Sequence, residues 1–128
     1  MREILFRGKR KDNGEWVEGN LFIPDKADTP TQICVGTNII RITYDIIPET
    51  VGQYTGLVDK NGKKIFEGDI LDCKDRIVFV TWHEECGTWD SKFIKYKGEL
   101  CSNGITAVEW KYRATVIGNI HDNPNCWR

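Results

Sequence analysis

The sequence predicts an all-β fold, a compact barrel or sandwich with little helix. Short runs of β-branched and aromatic residues recur at a spacing of roughly 8–12 residues, with Asn-Gly, Gly or Pro turn signals between them. No long stretch repeats its apolar residues at the 3.6-residue period of an amphipathic helix. Regular short strands without helical segments are typical of antiparallel β domains.

The first half of the chain predicts two strand pairs. Residues 3–7 and 16–23 flank Asn13-Gly14, and this pair of turn residues predicts a hairpin with a tight primed turn. Residues 24–30 contain two prolines and read as a loop. Residues 33–35 and 39–44 form the second pair of strands. A single helical turn is expected at 48–51, because Pro48 interrupts strand pairing.

The second half predicts a further series of strands. These are residues 52–58, 64–66, 69–73, 76–82, 88–96 and 113–120. Asn61-Gly62 predicts a second primed turn, between the first two of them. Residues 76–82 are almost continuously apolar, which predicts a strand that is covered on both faces.

Length and composition bound the protein class. A chain of 128 residues predicts one domain, residues 1–128, with a possible subdivision near 46–52. No apolar run approaches the roughly 18 residues of a membrane-spanning helix, and no secretion signal is visible at the start. A cytoplasmic location in a bacterial host is therefore expected, with the five cysteines reduced.

Basic and aromatic residues raise the possibility of nucleic-acid binding. Lys60, Lys63 and Lys64 cluster around a predicted turn, and five tryptophans and four tyrosines offer stacking surfaces. The net charge of −1 argues against this function, because nucleic-acid binding is driven largely by positive charge.

Metal and acid chemistry have weaker support in the sequence. His83, Cys86, His121 and Cys126 are residue types that bind tetrahedral zinc, but the two pairs lie far apart and match no common zinc spacing. Glu67 and Asp69 would share one side of an extended strand, yet composition clearly favours solvated turn carboxylates over a catalytic pair. We therefore expect no metal, no cofactor and no catalytic residues.

Three segments together resemble a known family. They are residues 4–8 with 14–17, the segment GQYTGLVDKNGKKIFEGDI at 52–70, and VIGNIHDNP at 116–124. In this order they resemble the YopX family of small proteins encoded by bacteriophages and prophages. The resemblance implies an all-β fold and a phage or prophage origin. It supplies no catalytic residues, because the family has no established biochemical activity.

A smaller resemblance concerns residues 68–71, Gly-Asp-Ile-Leu, which are similar to the first strand of SH3-like barrels. It implies an SH3-like barrel over about 66–120, with the N-terminal β-hairpin as a subdomain packed against it.

The leading functional hypothesis is a phage accessory protein that binds another protein or forms a homo-oligomer. The alternatives are a nucleic-acid-binding accessory protein and a small metal-dependent enzyme. Candidate binding residues come mostly from the central family segment: Tyr54, Asp59, Lys60, Lys63, Lys64, Glu67 and Asp69.

Overall fold

Strands dominate the computed structural model, which describes residues 3–26, 28–37, 39–74, 76–96 and 109–123. The predicted all-β class is confirmed. The chain divides into two compact units, Met1–Tyr54 and Thr55–Arg128. The prediction placed a possible division slightly earlier, near 46–52, and the assignment of the chain as one domain stays a prediction. No helix in the described ranges is long and apolar enough to cross a membrane.

The first unit contains the strands of the predicted N-terminal hairpin and of the pair that follows it. Its strands are β1 (Phe6–Lys9), β2 (Trp16–Phe22), β3 (Gln32–Gly36), β4 (Arg41–Asp45) and the start of β5 (Gly52–Val58). The strand order is β4-β3-β2-β1-β5, and neighbouring strands run antiparallel. A 3₁₀ turn, Pro48–Thr50, confirms the predicted single helical turn.

The first unit closes on itself at one end. An antiparallel bridge joins Arg10 to Ile46, so the chain after β4 pairs with the chain after β1. Gly8 lies against the side chains of Ile46 and Ile33, both fully buried, and a larger residue there would collide with Ile46. Two buried isoleucines are therefore packed directly against the backbone of β1 at Gly8, which favours glycine at this position.

The second unit contains the remaining strands. They are the end of β5, β6 (Lys64–Phe66), β7 (Asp69–Asp72), β8 (Arg76–His83), β9 (Thr88–Tyr96) and β10 (Thr115–Asn119). β6 follows β5 in its sheet, and a separate antiparallel sheet has the order β10-β7-β8-β9. Strands β7 to β10 fall within about 66–120, the range for which an SH3-like barrel was predicted, and that finer assignment stays a prediction.

The core of the second unit corrects one expectation. In β8, Val78 and Val80 on one face are buried, whereas Phe79 and Thr81 on the other face are half-buried. Trp82 follows on the same face as Val80 and is exposed near the end of the strand, so only the middle of one face is fully covered. The prediction of cover on both faces was wrong because aromatic residues occur on half-exposed strand faces as well as on buried ones.

A short helix, α1 (Trp110–Arg113), was not predicted. It places the fully buried Trp110 in the same core cluster as Val78 and Ala114. Four helical residues are too few to produce a visible 3.6-residue pattern in sequence.

Candidate functional site

The turn inside the family segment differs from the predicted primed turn. The Asp59 N–H donates to the Lys63 carbonyl at 2.9 Å, and the Gly62 N–H donates to the Asp59 carbonyl at 3.0 Å. Gly62 has a φ of +82°, whereas Asn61 lacks the positive φ that a type I′ turn requires. The loop is therefore a three-residue hairpin with a single left-handed glycine. Asn13-Gly14 likewise has positive φ at Gly14 alone, so that primed turn was also predicted wrongly.

The Asp59 side chain explains this turn geometry. Its Oδ1 accepts the N–H groups of Asn61 and Lys63, both at 2.9 Å, so the carboxylate organises the loop from inside. Its Oδ2 accepts the N–H of Val116 at the start of β10, at 3.0 Å. One side chain thus connects the loop to a strand 57 residues further along the chain.

Burial and hydrogen bonding act on Asp59 in opposite directions. Only 2% of the residue is exposed, and this desolvation raises the pKa of the carboxyl group. The N–H groups of Val116, Lys63 and Asn61, together with the charge of Lys63, lower it, and the net pKa lies below its ordinary value. Asp59 is consequently a carboxylate held in place by its own backbone, and it is largely inaccessible to an external ligand.

The three candidate lysines surround this loop. Lys60, Lys63 and Lys64 are all exposed. The backbone N–H of Lys60 donates to the Ala114 carbonyl at 3.0 Å, which fixes the loop against the chain before β10. The lysines lie together as the nucleic-acid hypothesis requires, and binding itself stays a prediction.

The acidic residues after β6 form a corner. Asp69 is 1% exposed, and its carboxylate accepts the Phe66 N–H at 2.7 Å. Gly68 has a φ of +87°, donates its N–H to Val80 at 2.9 Å and accepts the N–H of Ile120 at 2.9 Å. Glu67 is half-buried beside them. The corner needs glycine at position 68 for its backbone and aspartate at position 69 for its hydrogen bond, so both residues have a structural role.

The remaining candidate residues from the sequence lie in separate parts of the structure. Tyr54 is buried near the end of the first unit, and its N–H donates to the Leu5 carbonyl at 2.8 Å. His83 accepts the Cys86 N–H on its Nδ1 at 3.1 Å, within the turn between β8 and β9. In the described ranges no three His, Cys, Asp or Glu side chains are grouped to hold a metal ion. Cys126 lies outside those ranges.

Asn119 is a structurally important residue that the sequence reasoning did not single out. Its Oδ1 accepts the N–H groups of His121 and Asp122, at 3.0 and 2.9 Å, and its Nδ2 donates to the Asp122 carboxylate at 3.1 Å. These bonds shape the turn after β10 within the third family segment. Asn is a common turn residue for this reason, which is a signal that the sequence offered.

The outer strand of the first unit exposes apolar side chains. We define the β4 edge as Ile40, Arg41, Ile42 and Thr43. Ile40 is 69% exposed and Ile42 is 52% exposed, and Ile39 beside them is also exposed. Most sheets protect an outer strand with charge, proline or a bulge, since unpaired strands invite another chain. Within the described part of the chain, the charge of Arg41 is the only such protection on the β4 edge.

A cleft of about 480 Å³ lies beside the end of β4, next to the loop between β1 and β2. The Arg10 guanidinium lies over the Tyr44 ring, 4.4 Å from its centroid, and forms an ion pair with Asp12 at 2.6 Å. The Lys11 N–H donates to the Asp45 carbonyl at 2.9 Å. These contacts hold the loop against the last residues of β4.

Together these features define a small antiparallel β protein whose family segment is occupied by turn and corner contacts. The YopX protein family matches residues 5–126, and the chain belongs to this family. A crystal structure of protein EF1440 from Enterococcus faecalis has a similar fold, with a TM-score of 0.60, 22% sequence identity and full coverage of both chains. No curated protein matches the chain.

Proposed function

We propose that this protein is a non-catalytic accessory module, of phage or prophage origin and active in the bacterial cytoplasm, that assembles with itself through the β4 edge. The observation that carries the proposal is the exposure of Ile40 and Ile42 on an outer strand. Burying such side chains against a second copy removes apolar surface from water, and the strand supplies backbone hydrogen bonds at the same time.

The family segment supports the non-catalytic part of the proposal. Asp59 and Asp69 are buried, and their oxygens accept backbone N–H groups of neighbouring turns. A general acid or base needs an accessible carboxyl group within hydrogen-bond reach of a substrate. The backbone roles of these two carboxylates explain their position without any reaction.

A short edge gives a weak complex. Pairing of a few residues per copy buries less than the area of a standard protein interface, so we expect a dissociation constant on the order of micromolar. Sedimentation velocity from low to high micromolar concentration tests this, and the mass should rise from monomer to dimer.

A matched pair of variants tests whether the β4 edge is the dimer interface. Ile42→Lys places a charge on the β4 edge, and Ile117→Lys places the same charge at an equally exposed position in the second unit, since the two residues are 52% and 53% exposed. Ile42→Lys should remain monomeric where wild type and Ile117→Lys form dimers. A wild-type protein that stays monomeric throughout would refute self-assembly, and equal effects of both variants would refute the β4 edge.

A further inference from the structure

The backbone hydrogen bonds of β4 reveal which groups face outward. The Thr37 N–H donates to the Ile40 carbonyl at 2.8 Å, and the Ile46 N–H donates to the Thr31 carbonyl at 2.9 Å. Bonded pairs alternate along an antiparallel ladder, so residues 40, 42, 44 and 46 face β3. The N–H and C=O groups of the residues between them therefore point away from the sheet.

The loop after β1 limits how far an added strand reaches. The Asp45 carbonyl already accepts the Lys11 N–H, so Lys11 occupies the position beside Asp45. Arg41 and Thr43 remain, and no hydrogen bond to the outward backbone groups of either residue occurs in the described part of the chain. An added strand can therefore bond to four backbone groups, the N–H and C=O of Arg41 and of Thr43. Lys11 blocks the strand from pairing further towards Asp45.

We propose that a second copy of this chain adds its own β4 antiparallel to the first, with the two-fold axis at Ile42. The inference rests on the proposed self-assembly and specifies its register. Arg41 then exchanges hydrogen bonds with Thr43 of the second copy, and Thr43 with its Arg41, which uses all four outward groups on each side. Ile42 faces Ile42 of the second copy as a non-hydrogen-bonded pair, the arrangement in which side chains lie closest.

Charge complementarity favours a second copy as the occupant. In this register Arg41 lies diagonally across from Asp45 of the second copy, within reach of a long side chain. The Asp45 Oδ1 accepts a hydrogen bond from Gln32 at 2.9 Å, which leaves Oδ2 to meet the guanidinium. In the same register Arg41 is also diagonal to Arg41 of the second copy. The two guanidinium groups avoid each other because each side chain extends towards Asp45 of the other copy.

Neighbouring registers are less favourable. An axis at Arg41 would place two guanidinium groups directly opposite each other, and like charges in that position destabilise a sheet. An axis at Thr43 would put Arg41 of the second copy, a residue within its β4, where Lys11 already bonds to Asp45. The axis at Ile42 brings only Ile39 to that place, and Ile39 belongs to the turn before β4, outside the strand that is added. A two-fold contact of this kind uses the same surface on both copies, so assembly ends at the dimer.

Disulfide trapping distinguishes the registers. Single cysteines replace Ile42 or Thr43 in full-length protein in which Cys34, Cys86, Cys101 and Cys126 are changed to Ser. An axis at Ile42 places the two residues 42 about 4.5 Å apart between Cα atoms, within the range of a disulfide. The two residues 43 are then offset along the strands by about 7 Å and lie too far apart to be bridged. Mild oxidation is followed by non-reducing electrophoresis, with sedimentation of the reduced variants alongside.

We expect covalent dimer from Ile42→Cys and at least tenfold less from Thr43→Cys. The reverse pattern would overturn the register while leaving self-assembly through the β4 edge intact. If the reduced proteins are dimeric and neither variant is trapped, both the register and the edge are wrong. If the reduced proteins are monomeric at every concentration, the proposed function itself fails.

Discussion

Replacing Asp59 by Asn tests the role assigned to the carboxylate. The amide retains one oxygen for the N–H groups of Asn61 and Lys63, but it presents its NH₂ group to the N–H of Val116. A buried donor then loses its acceptor, and the other two hydrogen bonds lose the contribution of the charge. Each unsatisfied buried group costs about 1–3 kcal/mol, so we expect the free energy of unfolding to fall by about 2–4 kcal/mol.

Urea denaturation measures this loss. With an m-value of about 2 kcal/mol/M, the midpoint should fall by roughly 1–2 M. Asp25→Asn, at an exposed position in a loop, is the matched control and should leave the midpoint unchanged. A change below about 0.5 kcal/mol for Asp59→Asn, or an equal change in the control, would refute the structural role of the carboxylate.

The same variant has a predicted pH dependence. The folded-state pKa of Asp59 lies below its unfolded value, so its contribution to stability is fully present above the unfolded pKa. That contribution is lost as the pH falls through the folded pKa. The stability gap between wild type and Asp59→Asn should therefore narrow in acid, and a gap that stays constant down to the acid transition would contradict the assignment.

Three further predictions concern the backbone, the dimer and metal binding. Gly68→Ala and Gly62→Ala should each cost about 1–2 kcal/mol in urea denaturation because both glycines have positive φ, and a much larger loss at Gly68 would show crowding instead. Arg41→Asp and Asp45→Arg should each weaken the dimer several-fold in sedimentation and restore it when combined, whereas additive losses would exclude their pairing. Elemental analysis should find no stoichiometric zinc, and one zinc per chain would revive the metal hypothesis.

Strand positions were predictable because local sequence determines them. β-branched runs such as residues 39–44 and glycine-bounded runs such as 52–58 form strands close to the expected ends. The two described Asn-Gly turns were predicted at the right places with the wrong geometry. At Asn61-Gly62 the buried carboxylate of Asp59 selects another loop type, and dipeptide preference contains no information about that contact.

Features that depend on strand order could not be predicted from the sequence. Ile42 belongs to a run that reads as an ordinary strand, and only the strand order shows that, among the described residues, no strand pairs with its outer side. The central segment, residues 52–70, carries part of the family resemblance, yet the reason for its acidic residues becomes visible only from tertiary contacts. Val116 lies too far along the chain for any local pattern to connect it with Asp59.

The bond between Asp59 and Val116 has a consequence for synthesis on the ribosome. The loop at Asp59 emerges before β10, and β10 supplies one of the three donors to its carboxylate, 57 residues further along the chain. Until that strand has been translated, Oδ2 is satisfied by water, and the hairpin is held by local contacts alone. The second unit is therefore completed only after β10 has been made, and nascent chains stalled before residue 116 should leave this loop sensitive to protease.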